Sequence, residues 1–278
     1  MAIRLNSPAL ALAACLLAPL SAVARIPSGE QAGAPSTADE RYLADVRARV
    51  ARGDVEAEVS LGNLYESGDV LPPDPAQAAE WYRRAANKGH VGAQVNLATM
   101  YLEGHGVPRD VGQAISWYAK AAEGGDAGAQ FSLAAMYEAG AEGVAREPTR
   151  AAAWYRAAAE QGLAAAQYRL ALLHRDGRGA PQDTAQATSW LRKAAEQGNA
   201  DAQIALGVLL TLNPSRPGDI VEAHTWLNLA ASRWKNETER VTAGRLRDAL
   251  EATMTPAQRA EALRRATDWQ DAHSHAPR

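Results

Sequence analysis

The sequence predicts an all-α fold, an α/α superhelical solenoid of five tandem helix–turn–helix repeats with a helical cap at each end. Two sets of residues recur independently at steps of 36 or 37 positions, and each step contains apolar residues at helical spacing. The recurring residues are the tryptophans Trp81, Trp117, Trp154, Trp190 and Trp226, and the alanines Ala57, Ala93, Ala129, Ala166 and Ala202. Units that repeat in this way bury their apolar faces against their neighbours rather than around one centre. We therefore expect an elongated molecule.

The first 24 residues have the three parts of a secretory signal peptide. Arg4 supplies the positive charge, residues 9–20 are largely apolar, and an Ala-Val-Ala cleavage site ends at Ala24. We predict that the signal is cleaved after Ala24 and that the protein is exported to the periplasm or the medium. The alternative is a lipid anchor on Cys15, which ends a Leu-Ala-Ala-Cys sequence similar to a bacterial lipobox.

The rest of the chain carries no sign of a membrane span or of nucleic-acid binding. After the N-terminal segment, no stretch reaches the roughly 18 apolar residues that a membrane helix needs. The net charge of −3 argues against a protein that binds a phosphate backbone, which needs a basic face. Residues 25–36 are rich in Pro, Gly, Ser and Ala without periodicity, and we predict that they form a linker.

An N-terminal capping helix is predicted over residues 37–56. Thr37 and Glu40 form a Thr-x-x-Glu capping box, in which the hydroxyl accepts a backbone hydrogen bond and the glutamate reaches back. An apolar stripe at helical spacing follows, and it consists of Leu43, Val46 and Val50. Because this segment matches the second helix of a repeat without the first, we expect it to cover the N-terminal end of the array.

Each full repeat has the start and stop signals of a helix–turn–helix unit. In the first repeat Gly68 stops the first helix, Asp74 and Pro75 begin the second, and Gly89 ends it. One extra residue in the turn at 141–143 accounts for the single 37-residue step. The predicted repeats span residues 57–92, 93–128, 129–165, 166–201 and 202–235.

A C-terminal helical cap and tail is predicted over residues 236–278. Its last helix begins at Thr255-Pro256-Ala257-Gln258, with threonine as the cap, proline at the first helical position and glutamine reaching back.

The repeated motif resembles the Sel1-like repeat, a relative of the tetratricopeptide repeat. The motif reads Ala-x-x-x-Leu-(Gly/Ala)-x-(Leu/Met)-Tyr, then a Gly-x-Gly-Val turn, then Ala-x-x-Trp-Tyr-x-x-Ala-Ala-x-x-Gly, and five copies run from residue 57 to about residue 232. The Met-Thr-Pro-Ala-Gln sequence beginning at Met254 is similar to the ending of many exported bacterial proteins of that family. The resemblance implies a scaffold or adaptor for other proteins, often at the cell envelope.

By similarity to tetratricopeptide repeats, the first helix of each pair lines a concave face that binds the partner. Phe131 and Tyr168 are the strongest candidates because aromatic side chains often dominate interface energy, and we expect them to lie side by side. The alternative is that this position packs between helices, since every copy of it is apolar. The predicted partner-binding residues are Val95, Thr99, Leu102, Phe131, Ala135, Glu138, Tyr168, Leu172 and Arg175; Val59, Asn63, Glu66, Ile204 and Val208 continue the series.

Two other recurring sets are predicted to be structural. The five tryptophans are expected in the core, because a site that is used once does not need five copies. Glutamines recur as regularly and are expected to hydrogen-bond backbone groups between repeats. These glutamines are Gln94, Gln130, Gln167 and Gln203.

Motifs of catalysis are scarce. Ser232 and Lys235 match the Ser-x-x-Lys pair of penicillin-recognising enzymes, but the companion Ser-Asp-Asn and Lys-Thr-Gly motifs are missing from the sequence. The histidines lack the spacing of metal ligands. The sequence therefore predicts neither a metal nor a cofactor.

Three functions fit these observations. The leading hypothesis is a non-enzymatic exported scaffold that binds a protein or peptide partner on its concave face. A second form of this hypothesis is a regulator that holds an envelope complex or a membrane sensor inactive. The alternative is a penicillin-binding or β-lactam or peptidoglycan hydrolase activity with Ser232 as nucleophile, as suggested for cysteine-rich relatives, although the expected mature chain has no disulfide.

Overall fold

The computed structural model describes residues 36–140, 143–233 and 237–273, and its regular secondary structure over these residues consists of thirteen α-helices. The predicted signal peptide, Cys15 and all but the last residue of the predicted linker lie outside them. In chain order the helices are α1 (Thr37–Ala51), α2 (Val55–Ser67), α3 (Pro75–Asn87), α4 (Val91–Glu103), α5 (Val111–Glu123), α6 (Ala127–Ala139), α7 (Pro148–Glu160), α8 (Ala164–Asp176), α9 (Thr184–Glu196), α10 (Ala200–Leu212), α11 (Asp219–Arg233), α12 (Glu237–Glu251) and α13 (Pro256–His273).

Consecutive helices pack against one another within each of two compact units, which divide after Trp154. In the first unit this packing runs from α1 to α6, and in the second from α8 to α12, where α13 also packs against α11. Packing between neighbours in the chain is the arrangement of an α/α solenoid. The predicted fold class is therefore confirmed. None of the helices in the described parts of the chain is long and apolar enough to cross a bilayer.

The turns between helices follow the signals in the sequence. Gly68 ends α2 in the left-handed conformation with φ 76°, and Asp74 caps α3 with Pro75 at its first position, as predicted. Gly106 lies in the turn after α4, where a Cβ atom would be 2.2 Å from the carbonyl oxygen of Pro75. Only glycine therefore allows this turn to approach the start of α3.

The prediction that Thr37 caps the first helix is wrong by one residue. The hydroxyl of Ser36 accepts the hydrogen bond from the backbone N–H of Asp39, and the Asp39 carboxylate accepts from the backbone N–H of Ser36. Both sequence pairs have capping-box spacing, and the extended conformation of Ser36 decides between them. The box at the start of α13 is as predicted, with Thr255 and Gln258 exchanging backbone-to-side-chain bonds of 2.9 and 3.2 Å.

The prediction that the five tryptophans are core residues holds fully for two of them, and the other three pack against the core while remaining half-buried. Trp117 and Trp226 are buried, whereas Trp81, Trp154 and Trp190 are half-buried. The residue after each tryptophan is buried more deeply than the tryptophan itself. Cations cover three of the indole rings, such as Lys120 at 3.8 Å from the ring of Trp117. The deeply buried residues that follow the tryptophans are Tyr82, Tyr118, Tyr155, Leu191 and Leu227.

The prediction for the repeated glutamines is confirmed. Each is buried, and each donates its side-chain N–H to the carbonyl oxygen eight residues earlier, near the end of the preceding helix. These bonds join the second helix of one repeat to the first helix of the next. They run from Gln94 to Ala86, from Gln130 to Ala122, from Gln167 to Ala159 and from Gln203 to Ala195, at 3.1 to 3.2 Å.

Candidate functional site

The second unit carries an open groove of about 560 Å³ formed by α8, α10 and α12. Two of these are the first helices of successive repeats, and α12 follows the last repeat. We call this surface the α8–α10–α12 groove. Its lining residues are Tyr168 and Arg175 of α8, Asp201, Ile204, Ala205, Val208, Leu209 and Leu212 of α10, and Thr242 of α12.

The floor of the groove is apolar along the length of α10. Ile204, Val208 and Leu212 are four residues apart and therefore lie in a row on one face of the helix. Leu212 is 71% exposed, and Val241, the neighbour of Thr242 in α12, is 43% exposed. Leu212 is thus a large aliphatic side chain left uncovered at the end of the groove.

One end of the groove carries positive charge. The guanidinium of Arg175 binds both carboxylate oxygens of Asp176, at 2.7 and 3.2 Å, and Arg178 lies 3.2 Å from the same carboxylate. The hydrogen bond from Arg175 lowers the pKa of Asp176, against the opposing effect of burial. Two arginines therefore share one ionised aspartate, which leaves this end with an excess positive charge.

The other end carries a carboxylate. Asp201 lies in the first turn of α10. Desolvation raises its pKa, and the nearby charge of Arg169 opposes that shift. The groove is therefore apolar in the middle and oppositely charged at its two ends.

The predicted site residues fall into two groups. Tyr168 and Arg175 line the groove, and Leu172 lies on the same helix, half-buried. The other predicted residues belong to α4 and α6 of the first unit, where Thr99 already bonds the hydroxyl of buried Tyr118 at 2.9 Å. The proximity of Phe131 to Tyr168, and a role of either group in binding, stay predictions. The predicted residues of α4 and α6 are all half-buried; they are Val95, Thr99, Leu102, Phe131, Ala135 and Glu138.

A change of residue type accompanies the apolar groove of the second unit. In the first unit, the buried tyrosines bond to polar residues 19 positions earlier: Tyr82 donates to Asn63 at 2.7 Å, and Tyr118 bonds Thr99. Leucines replace those tyrosines in the last two repeats and need no polar partner. The equivalent pairs are then Leu191 with Leu172 and Leu227 with Val208. Sequence analysis missed Asp201, Leu212 and Thr242, but this loss of tyrosine was a usable signal.

A second recess of about 430 Å³ lies between α9 and the turn before α11. Its two arginines are engaged within the protein, since Arg192 and Arg216 both bind Glu222, at 2.6 and 3.1 Å. Burial alone raises the pKa of Asp219, but hydrogen bonds from Ser215 and Arg216 outweigh this effect and lower it to about 2. This ion-pair network holds the turn that replaces the usual glycine turn of the repeat.

The residues that the structure describes contain no cluster of three or more His, Cys, Asp or Glu residues that could hold a metal ion. The hydroxyl of Ser232 donates to the carbonyl oxygen of Leu229 at 3.0 Å. Lys235, its expected partner in a nucleophile pair, lies outside the described residues.

The five repeats match the family model described as Sel1 repeat over residues 55–90, 91–126, 127–163, 164–199 and 200–233. A Sel1 repeat protein from Oxalobacter formigenes has a similar solved structure, with a TM-score of 0.70 and 26% identity over 85% of this chain and 95% of that one. A putative Sel1 repeat protein from Klebsiella pneumoniae has a TM-score of 0.41 at 21% identity, covering 77% and 99%. An immunity protein from Pseudomonas aeruginosa has a TM-score of 0.39 at 18% identity, covering 88% and 89%. None of the curated proteins compared with the chain matches it.

Proposed function

The chain belongs to the Sel1 repeat family, whose repeats are protein-interaction modules, and we propose that it is an exported, non-enzymatic scaffold that binds a peptide segment of a partner protein in the α8–α10–α12 groove. In its cellular role it holds or regulates a complex at the cell envelope.

The uncovered apolar row along α10 is the observation that carries this proposal. Leu212 is 71% exposed at the end of a groove whose floor is formed by Ile204 and Val208. Fully burying one large aliphatic side chain contributes about 1.5–3 kcal/mol before the entropic cost of association is subtracted. A partner that covers this row therefore gains binding energy without any rearrangement of the repeat core.

The shape of the groove favours a polypeptide over a small molecule. It is open, and its lining runs from Asp201 to Leu212 along α10, with further residues from α8 and α12. Small-molecule sites usually enclose most of the ligand surface. An open channel between helices instead suits a chain segment that lies along it.

Export is supported by the sequence alone. The charged start, the apolar stretch and the small residues that end at Ala24 have the order of a cleaved signal. An exported scaffold meets envelope proteins, which is why we place its partner there.

No observation favours the alternative of a β-lactam or peptidoglycan hydrolase. Ser232 is hydrogen-bonded to backbone and to the side chain of Gln270, at 3.0 and 3.4 Å. Neither bond activates a hydroxyl as a nucleophile, which requires an adjacent base.

Site-specific photo-crosslinking in the native cells tests the scaffold proposal. The photo-reactive residue p-benzoylphenylalanine is placed at Leu212 in one variant and, as the matched control, at Ser189, an exposed position on α9 outside the groove. We expect a discrete covalent adduct from position 212 and none from position 189. Adducts from Ser189 with none from Leu212 would show that another face binds, and equal labelling at both would contradict a localised site.

A further inference from the structure

We propose that the α8–α10–α12 groove selects an extended peptide in which alternate apolar side chains are flanked by a basic residue at one end and an acidic residue at the other. This inference rests on the proposed function and specifies the chemistry of the partner segment. Its basis is the pair of opposite charges at the ends of the apolar row, together with the spacing of that row.

Asp201 supplies the recognition of the basic residue. Within the described residues, no hydrogen bond or ion pair holds its carboxylate, although Arg169 lies near enough to influence its charge. The side chain of Asp201 is exposed and lines the groove, so an incoming cation can reach its carboxylate directly. We expect a lysine or arginine of the partner to form an ion pair with the Asp201 carboxylate.

The opposite end supplies the recognition of the acidic residue. Arg175 and Arg178 both contact Asp176, so two positive charges face one negative charge. Arg175 also lines the groove, and it belongs to the last turn of α8. A carboxylate of the partner would neutralise the second positive charge at this end.

The charged ends are separated by the length of α10. Asp201 is in the first turn of this helix and Leu212 is its last residue, which corresponds to about 16 Å at 1.5 Å per residue. Because α8 and α10 are the equivalent 13-residue helices of successive repeats, Arg175 lies level with the last turn of α10. An extended chain covers this distance with about five residues at roughly 3.3 Å each.

The apolar row has the spacing of an extended chain. Ile204, Val208 and Leu212 are four residues apart, which is about 6 Å along the helix. Alternate side chains of an extended peptide lie on one face at about 6.6 Å. The two periods agree closely enough for successive apolar side chains of the peptide to enter successive gaps of the row. A helical peptide would instead need about eleven residues to reach both charges.

Selection from a phage-displayed library of random 12-residue peptides tests this inference. The full exported chain is immobilised as wild type, as D201K, as L212E and as E160K. Glu160 is an exposed acid of α7 in the same unit that does not line the groove, so E160K is the charge-matched control. Leu212 is largely exposed, so L212E blocks the groove without removing a buried side chain.

The expected result is enrichment, on wild type and E160K, of peptides with a basic and an acidic residue about five positions apart around alternate apolar residues. On D201K the basic residue should be replaced by an acidic one. A synthesised wild-type-selected peptide should bind D201K about fivefold more weakly by fluorescence anisotropy, the upper end of what one exposed ion pair is worth, because the substitution also introduces a repulsion. The loss should shrink at high salt.

The alternative outcomes separate the two proposals. The enriched peptides could instead be purely apolar, fail to bind L212E and bind D201K as well as wild type. That result would overturn the charge selection and leave the groove as the binding site. Peptides that bind L212E as well as wild type, or no enrichment on wild type, would overturn the proposed function itself.

Discussion

The carboxylate of Glu58 in α2 accepts a hydrogen bond from the Nζ atom of Lys88 in α3 at 3.0 Å. Glu58 is completely buried, and Arg84 lies 3.0 Å from the same carboxylate oxygen. The second oxygen, Oε2, is buried without a hydrogen-bond partner among the described residues. This residue occupies, in the first repeat, the position that glutamine holds in the other four.

The missing partner follows from the chemistry of the side chain. In the second repeat, the amide of Gln94 donates to the carbonyl oxygen of Ala86 at 3.2 Å. The corresponding oxygen for Glu58 is that of Val50, because Val50 and Ala86 each accept the N–H of the glycine three residues later. A carboxylate has no proton to donate. The bond that joins one repeat to the next is therefore missing where α1 meets α2.

Glu58→Gln should supply that bond. The new amide keeps an oxygen that accepts from Lys88 and gains an N–H that can donate to the carbonyl of Val50. One such hydrogen bond contributes about 0.5–1.5 kcal/mol, and burial of a charge is relieved at the same time. We expect a higher free energy of unfolding in urea and slower amide exchange in α1.

Gln203→Glu is the matched control, because it removes the same donor from a junction that has it. The carbonyl of Ala195 then loses its bond from residue 203, and the expected destabilisation is about 1–3 kcal/mol. A destabilised Glu58→Gln variant would show that the ion pairs with Arg84 and Lys88 outweigh the gained hydrogen bond.

Trp117→Ala should lower the free energy of unfolding by about 3–5 kcal/mol, the usual cost of removing a buried aromatic side chain. Trp117 is 7% exposed. The equivalent Trp190 is half-buried, so Trp190→Ala should cost clearly less. Urea denaturation followed by circular dichroism measures both, and equal costs for the two variants would contradict the difference in burial.

Stability should fall as the pH drops from 7 to 5, in part because of His224. Burial lowers the pKa of this side chain, against the opposing influence of Glu251, whose carboxylate lies 3.6 Å away; Arg247 lowers it and Asp248 raises it slightly. The unfolded state therefore binds a proton near pH 6.5 that the folded state does not take up, and this contribution is present above that pH and lost below it. His224→Leu should reduce the difference in unfolding free energy between the two pH values. An unchanged difference would assign the effect to other groups.

Tyr168→Ala should weaken peptide binding by about 2 kcal/mol, as expected for an aromatic anchor at the groove. The helical circular dichroism signal should remain, because Tyr168 is only partly buried. Phe131→Ala tests whether the binding surface includes the first unit, as the sequence predicts. Loss of folding in the tyrosine variant would instead assign its ring to packing between helices.

The mature protein should begin at Arg25 when it is recovered from the periplasm or the medium. N-terminal sequencing and intact mass distinguish this from an acylated Cys15 or a retained Met1. Either of the latter would contradict cleavage after Ala24.

The sequence by itself determined the helix boundaries and the repeat organisation of this protein, because these features depend on local patterns. Helix caps and glycine stops depend on residues within a few positions of each other, as at Asp74 and Pro75 before α3. The period of the repeat can be counted directly along the sequence. The role of Gln94 was equally readable, because its recurrence in every later repeat pointed to a bond made in each copy.

The tertiary structure alone decided which neighbour of a pair is buried and which distant residues meet. Trp81 and Tyr82 are adjacent on one helix, and only the packing of α3 against α2 places the tyrosine deeper. Asp201 and Arg175 lie 26 positions apart in the sequence and belong to different repeats. They line one groove because the stacking of α8, α9 and α10 brings equivalent helices together, and that stacking depends on side-chain packing across helices rather than on any local pattern.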